Sequence, residues 1–257
     1  MAVIELTIPK FSYADGSCEI GRFAKAPIRV HPLFFVAAAA LTAPYWHSMQ
    51  WSGFALGLLG IISVLVTVLL HELAHAQVAR RFGVAALRID LDLFGGVVQF
   101  WNRPRTQRQH FAVVLAGPLS NLALAAVAFV LLTVIGKPEP EPILLGGQSV
   151  PNPFQVPSLA ARALTFVMYL NCGLFAVNLL PAFPLDGGKL AFMLIARRNG
   201  GRLATMIVGC LGVVLAVMSW CVLLMTALAG RPVWSPPGFR QNWEAVQLAW
   251  RGGSVDI

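Results

Sequence analysis

The sequence predicts an all-α polytopic membrane protein of about five to six transmembrane helices, with a short membrane-edge β-hairpin between the second and third. Three observations carry that fold class. Of the 257 residues, 57% are hydrophobic and only 12% are charged, against the roughly 25% charged of a soluble domain. The apolar residues fall in long runs, several near the roughly 20 residues that a helix needs to cross hydrocarbon. Most Arg residues flank those runs instead of forming a basic stripe interleaved with aromatics. The formal charge of +8 therefore reads as the positive-inside bias of a membrane protein and not as a nucleic-acid surface.

The elements follow in order. Residues 1–31 form a polar N-terminal arm, in which the alternation Val3-Ile4-Glu5-Leu6-Thr7-Ile8 predicts a short strand that Pro9 ends. The first apolar run begins only near Pro32, too far from Met1 for the apolar core of a secretory signal, so it reads as a retained first span. That span ends at Tyr45 or Trp46. The second runs from Gly53 to Ala79 and stops at Arg80-Arg81. The third covers Phe111 to Ile135, and a loop with Pro138-Glu139-Pro140-Glu141-Pro142 follows. The fourth runs from Ala163 to Leu180, breaks at Pro181-Ala182-Phe183-Pro184 and resumes as a shorter helix after Gly188. The fifth occupies Leu203 to Ala229. Residues 32–229 thus make one intramembrane domain. Residues 230–257 form a tail whose Trp234, Trp243 and Trp250 suit a helix on the membrane surface.

Between the second and third spans, Leu87–Trp101 holds β-branched residues around Gly95-Gly96, which predicts a hairpin. It is apolar for a loop, so it is expected to dip into the membrane edge, where its backbone must be paired or shielded. Cys18, Cys172, Cys210 and Cys221 have no metal or redox spacing; they read as small buried hydrophobes without disulfides.

Charge by loop sets the orientation of this multi-pass chain in the cell membrane. Arg80 to His110 carries six Arg against two Asp, and Asp186 to Arg202 carries four bases against one acid. Loop 136–162 is balanced, and Tyr45–Gly53 has no formal charge. The basic loops and the N-terminal arm are expected on the cytoplasmic side. The tail is expected outside if residues 203–229 cross once, and a second crossing would reverse it.

Chemistry concentrates in His71-Glu72-Leu73-Ala74-His75. Two histidines four apart on a helix share a face. At that spacing two neutral imidazoles can hold one Zn²⁺, with Glu72 as the general base for a water at the metal. Ionisable groups inside an apolar span are costly enough to signal function. Arg80 lies nine residues beyond His71, so a rise of about 1.5 Å per residue puts the site roughly 13 Å inside the cytoplasmic end. A catalytic zinc needs a third protein ligand and an open position. His31, His47, His110, Asp90, Asp92 and Asp186 are candidates. Asp186 is best placed, after a proline-broken helix that lines a cavity and before Gly187-Gly188, which let the chain turn. Capping the following helix is an equal reading of Asp186 from the residues alone.

His71–His75, together with Asn178-Leu179-Leu180-Pro181-Ala182-Phe183-Pro184-Leu185-Asp186-Gly187-Gly188, resembles the site-2 protease family of intramembrane metalloproteases. Ala116-Gly117-Pro118-Leu119-Ser120-Asn121, Val30-His31-Pro32 and Phe94-Gly95-Gly96 are similar to further motifs of that family, in the same order, over about residues 28–200. The resemblance implies that Asp186 is the third ligand, with one Zn²⁺ per chain held by His71, His75 and Asp186. It also implies that Asn178 positions the substrate or polarises the scissile carbonyl; a helix-bridging hydrogen bond is the other reading of Asn178. Gly117-Pro118 reads as close helix packing or a kink, with Asn121 bonding across helices. His31 reads as a capping or interfacial residue, and His47 and His110 as wet span ends.

The implied activity is that of a zinc intramembrane metalloendopeptidase. Its partners are a transmembrane protein substrate and the lipid bilayer, with cutting in or near the substrate's transmembrane segment, as in regulated intramembrane proteolysis. A substrate unwound against the Gly95-Gly96 hairpin would gain main-chain hydrogen bonds. The sequence departs from larger members: loop 136–162 is too short for a PDZ domain, the tail is too short for a CBS pair, and one span follows Arg202 where some relatives have two. Competing readings are an inactive membrane scaffold and a metal transporter.

Overall fold

The structure is a computed structural model that describes residues 4–11, 16–46, 51–93, 95–135, 143–145, 148–150, 158–228 and 238–256. His47, Phe94, the Pro138–Pro142 stretch and Trp234 lie outside the described residues. The fold is mostly helical, as the sequence predicts, and its hairpin is part of a five-stranded sheet that the sequence does not predict. Among the described residues, four helices are long and apolar enough to cross a membrane: α3 (Trp51–Arg81), α4 (Gln107–Ile135), α5 (Leu159–Asn178) and α7 (Gly201–Leu228). Their outer faces expose Phe54, Ile62, Val127, Phe129 and Val214, as suits helices solvated by lipid.

The predicted first span is not one crossing helix. It divides into α1 (Pro32–Leu41) and α2 (Ala43–Trp46), and ten residues at about 1.5 Å each reach only half the hydrocarbon thickness. Thr42 sits at the division, where its side-chain Oγ1 donates to Ala38 O at 3.1 Å and accepts from Trp46 Nε1 at 3.0 Å. α6 (Asp186–Asn199) resumes the chain after the break, also too short to cross alone.

The N-terminal arm folds further than the alternation suggests. β1 (Ile4–Phe11), β2 (Cys18–Phe23) and β3 (Ala26–Val30) form an antiparallel meander, and β3 pairs in parallel with β4 (Ala86–Asp92). β4 pairs antiparallel with β5 (Gly95–Phe100), so the sheet order is β1-β2-β3-β4-β5. Pro9 does not end β1. It falls at a register irregularity between Leu6 and Lys10 on an edge strand, where a missing N–H is tolerated. The predicted hairpin is present, but its turn lies before the glycines: Asp92 pairs with Gly95, and Gly95-Gly96 opens the second strand.

The sheet packs on α3 through Phe23, Ile28, Leu73, Ala76 and Ile89. Val30, Phe34, Val64 and Leu91 continue that core towards α1. α3 is thereby held between the sheet on one side and α4 and α5 on the other. β6 (Ile143–Leu145) and β7 (Gln148–Val150) pair between α4 and α5.

The tail departs from a surface helix. α8 (Phe239–Trp250) runs antiparallel to the first half of α7: a Cβ at Gly212 would overlap Asn242, one at Gly209 would meet Val246 at 3.0 Å, and Arg202 Nε donates to Ala249 O at 2.9 Å. Small residues on α7 allow that approach. Trp243 and Trp250 remain exposed. All four cysteines are free, but Cys172, Cys210 and Cys221 sit on outward faces of α5 and α7 and not in the protein core.

Candidate metal centre

Two elements separated in sequence bring three donors together. His71 and His75 project one helical turn apart from α3, and Asp186 opens α6; one ligand atom from each lies within 4.8 Å of the others, and all three residues are buried. Asp186 Oδ2 is 3.2 Å from His71 Nε2 and 3.1 Å from His75 Nε2. The two Nε2 atoms are 3.1 Å apart. The other carboxylate oxygen of Asp186 accepts from Lys189 Nζ at 3.1 Å.

Asp186 does not cap α6. The N-cap is Leu185, without a side-chain cap bond, and Asp186 is the first residue inside the helix. Gly187 and Gly188 serve close approach and not a turn: a Cβ on either would run into the backbone of Leu179, Leu180 or Ala182. The proline-broken stretch thus folds directly onto the start of α6 and presses its first carboxylate towards α3.

The donor set fits a divalent cation. His75 Nδ1 donates to Val113 O at 2.7 Å, which leaves the Nε2 lone pair facing the centre, the tautomer of a ligating imidazole. The His75 lone pair and a carboxylate oxygen thus converge on one point beside His71 Nε2, a donor set that suits a cation. At His71, Asn121 Nδ2 donates to Nδ1 at 3.1 Å, and the fully buried Asn121 Oδ1 has no partner. Turning that amide over would let Oδ1 accept from Nδ1–H and free Nε2 of His71 for the centre as well. Gly117 on α4 completes the cradle, since a Cβ there would occupy the space against both Nε2 atoms.

Glu72 is buried on the side of α3 that faces β5, and a Cβ on Gly96 would lie 2.6 Å from its Oε1. Asn178 ends α5 and is half-buried, without joining the hydrogen-bonded group. The remaining candidates stand apart. His31 caps α1, its Nδ1 accepting from Leu33 N–H at 3.2 Å, and Asp90 pairs with Arg88 at 2.7 Å. Asp92 is exposed on the hairpin, and His110 lies in the first turn of α4. Residue types alone did not distinguish Lys189, or Asn171, which donates to Thr67 Oγ1 at 3.2 Å one turn below His71.

Fold and site together define a membrane protein with a buried two-histidine, one-aspartate centre on its first long span. The chain belongs to Peptidase family M50, whose model matches residues 59–219. It is 37% identical over 145 residues to the "Putative zinc metalloprotease Rip3" of Mycobacterium tuberculosis, covering 56% of this chain and 33% of that protein. It is 32% identical over 160 residues to "Stage IV sporulation protein FB" of Bacillus subtilis, covering 59% and 47%. The chain therefore spans a third to about half the length of these relatives. Among solved structures, the site-2 protease from Methanocaldococcus jannaschii superposes with a TM-score of 0.53 at 20% identity, covering 97% of this chain and 96% of the other. That likeness is one of fold.

Proposed function

We propose that the chain is an intramembrane zinc metalloprotease that hydrolyses a peptide bond in or beside the transmembrane segment of a membrane-protein substrate. The observation that carries this reading is the convergence of His71, His75 and Asp186 on one point, buried beside a membrane-spanning helix. In this reading the three residues hold one Zn²⁺ per chain, which when bound acidifies a water and polarises the scissile carbonyl. Glu72 accepts the proton of the attacking water and returns it to the leaving amine. Lys189 holds the outer oxygen of Asp186, and Val113 and Asn121 hold the outer nitrogens of the two histidines, so that the three inner atoms keep their aim. Asn178, at the lip of the broken helix, steadies the substrate or its carbonyl.

The substrate is read as a transmembrane helix that unwinds locally. β5 has no partner on its outer side among the described residues, and a strand added there would regain main-chain hydrogen bonds beside Glu72. The catalytic unit is residues 32–229, with the arm and the active-site mouth on the cytoplasmic side of the cell membrane. Cutting in this place would release a cytoplasmic fragment, the form of regulated intramembrane proteolysis.

The test is cleavage of single-span substrates by the purified chain and by Glu72→Gln. The variant is expected to keep its metal and bind substrate while turnover falls by about 10²–10⁴-fold. Undiminished function in Glu72→Gln would instead mark a scaffold, and metal flux in proteoliposomes without proteolysis would mark a transporter.

A further inference from the structure

The stretch that delivers Asp186 to the centre has two internal backbone bonds, Ala182 N–H to Leu180 O at 2.8 Å and Leu185 N–H to Ala182 O at 2.9 Å. Phe183, between them, satisfies neither of its backbone groups in that way. Both are taken up by one side chain from α8. Asn242 Oδ1 accepts from Phe183 N–H at 2.9 Å, and Asn242 Nδ2 donates to Phe183 O at 2.6 Å. The amide thus reads Phe183 as a neighbouring strand would. Asn242 is fully buried, and its remaining N–H donates to Gly238 O at 2.6 Å.

The surroundings are shaped for that contact. Gly212 on α7 leaves the room, because a Cβ there would overlap the Asn242 amide. Phe183, Val208 and Ala245 form a common apolar core behind it. The end of α8 is tied to the start of α7 by Arg202 to Ala249 O at 2.9 Å, and the segment after it by Val255 N–H to Thr205 Oγ1 at 2.9 Å. α8 lies beyond the residues 59–219 that the family model matches. Irregular backbone at membrane depth has to find its partners within the protein, and here they come from outside that matched core.

We infer that Asn242 is a positioning residue: by clamping Phe183, three residues before Asp186, it fixes the carboxylate's place in the metal centre and makes α8 part of the catalytic machinery. The inference rests on Asp186 being a metal ligand. Released from Asn242, the loop keeps its sequence but loses the anchor that sets where α6 begins, and the Asp186 oxygen wanders relative to the two imidazoles.

The experiment uses the full chain with Asn242→Leu, Gly212→Ala and, as a control on the exposed face of α8, Arg240→Ala. Zn²⁺ affinity is measured by chelator competition, hydrogen exchange is followed at residues 180–186, and kcat and KM are separated on a single-span substrate. Asn242→Leu is expected to bind Zn²⁺ about tenfold more weakly, to exchange the Phe183 amide faster, and to lose kcat by about 10–100-fold with little change in KM. Gly212→Ala, which pushes the amide away from a different helix, is expected to reproduce those changes more mildly, and does so even if Asn242→Leu fails to fold. Arg240→Ala is expected to match wild type. Wild-type Zn²⁺ affinity and kcat in Asn242→Leu, or an equal loss in Arg240→Ala, would overturn the clamp and leave the protease reading standing. A wild type that binds Zn²⁺ but cuts nothing, with weaker binding in Asn242→Leu, would do the reverse.

Discussion

Asn121 touches His71 at the ring nitrogen turned away from the centre, and a ligating imidazole needs that nitrogen to donate its proton to a fixed acceptor. With the Asn121 amide turned over, its buried oxygen would accept that proton, so the amide selects the tautomer as well as the ring's orientation. Asn121→Leu keeps the volume and removes the acceptor. Zn²⁺ affinity is expected to fall by about 10–100-fold, read by chelator competition, while Asn171→Leu, which removes an asparagine that bridges α5 to Thr67 on α3, is expected to leave it near wild type. The contrast shows how far single residues were legible. His71, Glu72 and His75 announce themselves because a helix fixes their relative directions locally. Asn121 reads in sequence only as a residue bonding across helices. That its partner is a ligand depends on the packing of α4 against α3, which no local spacing encodes. Asp186 stood even between cap and ligand for the same reason: its partner His71 is 115 residues away.

At the scale of elements, the sequence marked the long helices to within a few residues because lipid demands continuous apolar runs. It was less informative where tertiary partners decide the outcome. The run from Pro32 was apolar enough for a span, but Thr42 divides it, and the N-terminal strands join β4 in one sheet through a pairing across more than fifty residues of chain. The hairpin shows the cost of reading glycine only as a turn signal. Gly96 is a strand residue whose missing side chain lets β5 lie against Glu72. Gly96→Ala is therefore expected to push Glu72 aside and lower turnover by about 10²-fold, the effect of misplacing a catalytic group by about an ångström, with metal content unchanged. Val97→Pro, on the strand whose outer edge has no partner among the described residues, is expected to weaken substrate binding as well as cleavage by disturbing the edge a substrate strand would pair with. Co-purification with a Glu72→Gln background separates the two, and intact binding and cutting in Val97→Pro would sink the docking role of the strand.

The molecule as a whole is organised by which end of the bundle each loop occupies. The basic loops 80–110 and 186–202 flank the centre, and the structure adds residues 251–256 to the same end: Arg103 reaches Asp256 at 2.5 Å, and Arg202 holds the last turn of α8. A single crossing by α7 would put the tail on the opposite face, and a second crossing would reverse it, a choice that the charge count left open. In the structure α8 returns along α7, packed at Gly209, Gly212 and Asn242, without an apolar run of spanning length. The positive-inside rule counts Lys and Arg near span ends, and Arg240 and Arg251 are too few to have revealed the return. An expected topology follows. Reporters placed after Gly83 and after Ile257 are expected on the cytoplasmic side, and one inserted at Glu139 on the other. If the reporter after Ile257 appeared outside, α8 could not lie beside the first half of α7, and the anchor on Phe183 would be lost with it. The side on which residue 257 appears thus tests the return of α8 and the placing of Asp186 together.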